Sequence, residues 1–155
     1  TSQGVEAVIA LDLGERLDIG FKMPTQFTMT YTDAQFDTAS ERKDGNFWTN
    51  STVGNELPYV ADLQFNLRSG VEFEKTSVFL NFRYTDDSYV DATNTAKIGK
   101  IGILDLSAFH NLSNSAQLFG KITNLTDEEY TLGHLPDGYR VGAPRAACIG
   151  LKVDF

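Results

Sequence analysis

Cysteine is nearly absent from this chain. Among 155 residues there is one, Cys148, which excludes an internal disulfide framework and a multi-cysteine zinc site. Long apolar runs are missing too. The longest is Ala7-Val8-Ile9-Ala10-Leu11, where a membrane-crossing helix needs about 20 residues. Positive charge is scarce: 13 Lys and Arg face 21 Asp and Glu, so the net charge is −8 and the pI is near 4.6. Such a surface repels a phosphate backbone, and no nucleic acid is expected as a partner. The opening Thr1-Ser2-Gln3-Gly4-Val5-Glu6 has neither the basic nor the apolar region of a signal peptide, and the chain reads as if it starts inside a fold. The two histidines are not paired at helical spacing. There is no Ser/His/Asp order and no glycine-rich phosphate loop, so nothing supports catalysis, and no cofactor or metal site is expected.

What is present is a chain 41% hydrophobic, with 11 Phe and 6 Tyr, too apolar to stay disordered. Its dominant period is two, the period of strands. From Asp62 to Glu74, one face carries Leu63, Phe65, Leu67, Ser69, Val71 and Phe73, while the other carries Gln64, Asn66, Arg68, Glu72 and Glu74. The same alternation recurs in Val78, Leu80, Phe82 and Tyr84, in Ala147, Ile149, Leu151, Val153 and Phe155, in Val5 to Leu13, and in Phe27, Met29 and Tyr31. Weaker strands run from about Ile101 to Asn111 and from Ala116 to Asn124. The reading is all-β, with about seven strands.

Connection lengths alternate. Glu74-Lys75-Thr76 and Asn111 to Ser115 are short, whereas Asp37 to Leu57, Asp86 to Gly99 and Thr126 to Ala143 are long. A soluble sandwich has no reason to alternate so; a transmembrane β-barrel has short turns on one side and long loops on the other. The strands, at roughly 10–12 residues, suit a tilted crossing of the hydrocarbon core. Tyr31, Tyr59, Tyr84, Phe73 and Phe155 cluster near strand ends, as an interfacial girdle would.

Three stretches near the end resemble the C-terminus of TonB-dependent outer-membrane receptors. They are Asn124-Leu125-Thr126-Asp127-Glu128-Glu129-Tyr130, then Gly142-Ala143-Pro144-Arg145, then the alternating final strand closing on Phe155. Upstream, Ser2 to Glu6 and Gly54-Asn55-Glu56-Leu57-Pro58-Tyr59 are similar to two further stretches of that family. The resemblance implies an antiparallel up-and-down meander forming residues 1–155 of the C-terminal part of a 22-stranded barrel, with the plug and earlier strands absent. It implies a bacterial outer-membrane receptor of the siderophore type that takes up a scarce solute, a ferric siderophore or other iron complex. Its implied partners are outer-membrane lipid, that ligand, TonB through the missing N-terminal region, and the barrel-assembly machinery through the terminal strand. Seven strands cannot close a ring, so two edges are expected to lack partners within this chain.

Within that frame Asn124, Leu125, Asp127, Tyr130, Gly142, Pro144, Arg145, Ile149, Leu151, Val153 and Phe155 read as a structural and assembly motif. Arg145 shares the parity of Ile149 and Leu151 and belongs at the outer rim, where it can snorkel to headgroups or pair with loop carboxylates. The solute-facing candidates lie on long loops: Trp48, Tyr89, His134, Tyr139 and Arg140. Arg140 suits an anionic chelate, although Asp86, Asp87 and Asp91 make the middle loop acidic. A soluble β-sandwich binding module, such as an adhesin or lectin, is the alternative, and it requires two packed sheets around a buried core. A small lipolytic barrel would need a Ser–His pair that the sequence does not present.

Overall fold

The computed structural model describes residues 1–41, 50–134 and 138–154. Seven strands form one sheet: β1 (Ser2–Asp12), β2 (Pro24–Ala34), β3 (Leu63–Glu72), β4 (Thr76–Thr85), β7 (Ile101–Ser113), β8 (Ala116–Thr123) and β11 (Ala146–Val153). Two short pairs sit within the connections, β5 (Ser88–Tyr89) with β6 (Lys97–Ile98) and β9 (Thr131–His134) with β10 (Tyr139–Val141). The main sheet runs β1-β2-β3-β4-β7-β8-β11 and every pair is antiparallel. It is the expected up-and-down meander, and β1 and β11 are its two edges.

Register carries one apolar face across all seven strands. Ile9 lies opposite Phe27, Phe27 opposite Leu67, Leu67 opposite Phe82, and Phe82 opposite Leu104. Further along, Leu106 faces Ile122 and Ile122 faces Ala147. The hydroxyls of Thr25 and Ser69, a facing polar pair on this face, bond each other at 2.7 Å and so need no water. This face is open: Ile149 is 78% exposed, Leu151 58% and Leu80 46%. The sandwich alternative would bury Leu67, Leu80 and Leu151 in a core, and the structure exposes all three. Buried residues gather instead among the long connections and the strand ends beside them: Ala34, Ala61, Val90, Ala92, Ile98 and Ile103.

The opposite face is polar but not wholly so. Phe79 pairs with Gly70, and its ring occupies the space where a Gly70 side chain would stand; Phe119 does the same over Gly150. The Arg68 guanidinium lies 4.4 Å from the Phe79 ring centre, a cation over the π face. Simple alternation assigns these rings to the wet side, and the missing β-carbons opposite explain how they lie flat there.

The three short links (residues 13–23, 73–75 and 114–115) share one end of the sheet, and the three long ones share the other. The ambiguous stretch from Gly14 to Pro24 is a short link built around α1 (Leu13–Leu17). Asp12 caps it, one carboxylate oxygen accepting from the amides of Gly14, Glu15 and Met23. Aromatics mark both ends. Phe21 and Phe73 meet at 5.4 Å on the short side, and Phe65 stacks on Tyr84 at 4.9 Å nearer the long side. Five main strands have 10 to 13 residues, whereas β8 and β11 have 8. Phe155 lies outside the described residues, but the Asp154 amide still donates to the Ser115 carbonyl, so pairing continues beyond β11.

Replacing Leu67 by Arg places a cation on the apolar face and should cost about 2–4 kcal/mol of barrel stability near the midplane. Asn66→Ala should be nearly neutral, because the Asn66 side-chain oxygen accepts no hydrogen bond and leaves no donor orphaned. Unfolding of the two variants in a bilayer checks this, and equal tolerance at both positions would refute the assignment of faces.

Candidate functional site

The long connections converge at one end of the sheet, and two sets of contacts organise them. The first joins the two C-terminal motifs. Asn124 leaves β8 with φ 51°, a left-handed conformation that Asn tolerates well. It is 3% exposed. Its side-chain amide donates to the carbonyls of Glu128 at 2.9 Å and Ala143 at 3.2 Å, and its oxygen accepts from the Glu128 amide at 2.8 Å. Its backbone amide donates to the buried Asp105 carboxylate at 3.0 Å, and Asp105 also pairs with Arg83 at 3.2 Å. The Leu125 amide continues the sheet by donating to the Leu104 carbonyl at 2.7 Å.

Asp127 completes the junction. It accepts from the Arg145 amide at 3.0 Å and pairs with the Arg145 guanidinium at 3.3 Å. Of the two fates open to Arg145, the structure shows the pairing with a loop carboxylate. Tyr130 lies flat on Gly142, where an added β-carbon would stand 2.1 Å from the ring, and the Gly142 amide donates to the Tyr130 carbonyl at 2.8 Å. Pro144 precedes β11 and withholds no ladder donor. Ile149, Leu151 and Val153 follow on the apolar face, opposite Gly120, Leu118 and Ala116.

The second set joins all three long connections. Asn94 reaches from the middle connection to the first, donating to the Glu56 carbonyl at 2.9 Å and accepting from the Glu56 amide at 2.7 Å. Asn55 returns the contact by donating to the Ala92 carbonyl at 2.9 Å. Asp91 shapes the middle connection through the amides and hydroxyls of Thr93 and Thr95 and the Ala96 amide. Partial burial pushes its carboxyl upward, but those donors outweigh burial and hold it below the ordinary carboxylate value. Lys97 bonds Asp87 at 2.8 Å and lies over the Tyr89 ring at 4.4 Å, and Lys100 bonds Asp86 at 3.2 Å. These carboxylates raise both lysines. Burial, followed by the nearby Asp62 charge, raises Glu56.

Of the solute-facing candidates, Trp48 lies outside the described residues. Tyr89, His134 and Tyr139 fall into one network. His134 stacks on Tyr139 across the β9–β10 hairpin, with ring centres 4.6 Å apart. Arg140 lies opposite Gly133 in the same hairpin and so projects from its other face. The residue that links Tyr89 to His134 is Tyr59, which sequence patterning assigns to an interfacial girdle. Tyr59 has φ 62°, and its amide donates to the Tyr89 carbonyl at 2.7 Å while its hydroxyl bonds the His134 backbone. The available signal was its place in the stretch from Gly54 to Tyr59, where Asn55 and Glu56 also take part.

Residues 1–125 match the family model described as TonB dependent receptor-like, beta-barrel. The match stops inside the Asn124–Tyr130 stretch, and structural likeness extends over the remainder. The chain is similar to the siderophore receptor PiuA from Acinetobacter baumannii, at TM-score 0.80 and 19% identity over 98% of this chain and 21% of that one. It is also similar to the ferric yersiniabactin uptake receptor FyuA from Yersinia pestis, at TM-score 0.71 and 17% identity over 99% of this chain and 23% of that one. The ferric-catecholate import receptor Fiu from E. coli K12 gives TM-score 0.71 and 18% identity over 99% of this chain and 21% of that one. The chain thus spans about a fifth of the length of these structures. No curated protein matches the sequence.

Asn124→Ala should destabilise the assembled barrel by about 1–3 kcal/mol, since it takes the side-chain partner from the Glu128 amide and two carbonyls in a half-buried junction. Gly142→Ala should also destabilise, and Tyr130→Ser in the same chain should recover part of the loss. Thermal or denaturant unfolding in detergent measures both, and additive penalties for Gly142→Ala and Tyr130→Ser would show that the two residues are not coupled.

The middle connection should be ordered best between the two extremes of pH. The lowered Asp86 and Asp91 carboxyls contribute order that is full above the ordinary carboxylate value and is lost as pH falls through their depressed values. The raised Lys97 and Lys100 contribute order that is full below the ordinary lysine value and is lost as pH rises through their raised values. Accessibility of residues 86–100 to oxidative footprinting, followed across pH, should therefore be least in the neutral range and rise below about pH 4.

Proposed function

The chain belongs to the TonB-dependent receptor β-barrel family, and from that membership we propose that residues 1–155 are the C-terminal part of a 22-stranded outer-membrane barrel whose receptor takes up a ferric siderophore or other iron complex. The long connections lie outside the cell and contribute to solute capture. The short links face the periplasm. TonB supplies the energy through an N-terminal region outside this chain, and the barrel-assembly machinery engages the C-terminal strand.

One observation carries this reading. A single meander with one open apolar face and all its long connections at one end is similar over nearly its whole length to barrels of receptors named for ferric siderophores. Lipid provides what the apolar face lacks in water, and it demands that the edges at β1 and β11 find partners. The remaining strands of the barrel meet that demand, since the last strand closes on the first.

Deletion of the full-length gene in its host, with growth under iron limitation on a panel of ferric chelates, tests the role. Growth on at least one chelate should fail, return on complementation, and fail again when the energy-coupling system is removed. Undiminished growth on every iron complex, alongside lost uptake of some other scarce solute, would overturn the iron assignment.

A further inference from the structure

Three chain segments far apart in sequence meet at Tyr59. Its amide donates to the Tyr89 carbonyl of the middle connection at 2.7 Å. Its hydroxyl donates to the His134 carbonyl at 3.1 Å and accepts from the His134 amide at 3.3 Å. One phenol thus serves the β9 backbone as the paired N–H and C=O of a neighbouring strand would. The Tyr59 ring lies against Gly133, whose added β-carbon would stand 3.8 Å from Tyr59 Cε1. Side chains alternate along a strand, so holding β9 by its Gly133 face turns His134 to the other. There His134 stacks on Tyr139, at an interplanar angle of 24°, and Tyr139 is 74% exposed.

Resting on the uptake role above, we propose that Tyr59 is a positioning residue that holds the stacked His134–Tyr139 pair outward as an aromatic platform for an iron complex whose metal-binding group is a planar aromatic ring. A flat, exposed π face stacks on an aryl group and gains little from an aliphatic chelator. Charge narrows the ligand further. The three long connections hold twelve acidic and six basic residues, so most of the negative charge of the chain lies at this end. Among the described residues, Lys97, Lys100 and Arg145 are already paired with Asp87, Asp86 and Asp127, and Arg140 projects from the hairpin face opposite the His134–Tyr139 pair. A strongly anionic complex would be repelled. The platform takes an aryl chelate of low net negative charge.

The full-length receptor in nanodiscs, as wild type, Tyr59→Phe and Tyr139→Ala, tests this. Tyr59→Phe keeps the ring and removes the hydroxyl. The His134 amide should then exchange with deuterium about fivefold faster, while amides of β7 and β8 and the thermal midpoint stay unchanged. Unaltered exchange at His134 would overturn the positioning role. Titration with iron(III)–salicylate and iron(III)–acetohydroxamate reads the platform. The wild type should prefer the salicylate complex by about fivefold, and both variants should lose that preference without weakening hydroxamate binding. Equal or absent binding of the two complexes by the wild type would overturn the platform, and equal weakening of both in Tyr59→Phe would reduce Tyr59 to a structural residue. Failure of the uptake role would appear separately, as cells whose growth on every ferric chelate is indifferent to the receptor.

Discussion

Register between neighbouring strands is the constraint on which everything else here depends. Side chains alternate with period two, so slipping any one strand by a single residue would send its whole apolar set to the opposite face. In β11 such a slip would turn Lys152 towards the side now held by Ile149, Leu151 and Val153. Where the two sides of a strand differ most, as in β3, an apolar setting on one face and water on the other would select a single alignment. The antiparallel ladders then satisfy the backbone along the sheet, as hydrocarbon requires. The glycines opposite Phe79 and Phe119 show the same register at work on the polar side, because each ring can lie flat only where the paired residue has no side chain.

The ends of the sheet solve a different problem. Backbone leaving a strand must find new hydrogen-bond partners, and the long connections find them in Asn and Asp side chains. Among the described residues, five of the six non-glycine residues with positive φ lie in these connections: Asn50, Tyr59, Asn94, Asn124 and Asp127. Asn and Asp visit that conformation cheaply, whereas Tyr does not. Contacts on both sides hold Tyr59 there, which sets it apart from the turn-forming residues around it. The Asn124–Asp127–Arg145 junction and the Asn94–Glu56 junction are built alike, with one side chain standing in for a missing strand.

The proposed receptor role assigns solute capture to this end of the sheet, and the geometry sets its terms. The connections form a joined surface rather than independent loops, because Asn94, Asn55 and Tyr59 cross between them. Among the described residues, Lys97, Lys100 and Arg145 at this surface are committed to neighbouring carboxylates. In the proposed capture role, shape and aromatic contact therefore have a larger part than charge.

Much of this was legible in the residues themselves. Alternation in Asp62–Glu74 and in the last strand determined strand identity, face and polarity, because period two is a local property that burial and exposure imprint on sequence. The alternation of short and long connections determined the meander, since adjacent strands joined by tight turns must be antiparallel. The C-terminal motifs were visible as a pattern, but why Asn124, Asp127 and Arg145 occur together was not. Their partners, Glu128, Ala143 and Asp105, are chosen by how β7, β8 and β11 lie side by side. Tyr59 is the plainest case. In sequence it is one more aromatic near a strand, 75 residues from the histidine whose backbone it bonds. Only the tertiary structure joined them, because hydrogen-bond partners across long connections depend on where the folded sheet delivers each chain end, and no local pattern encodes that distance.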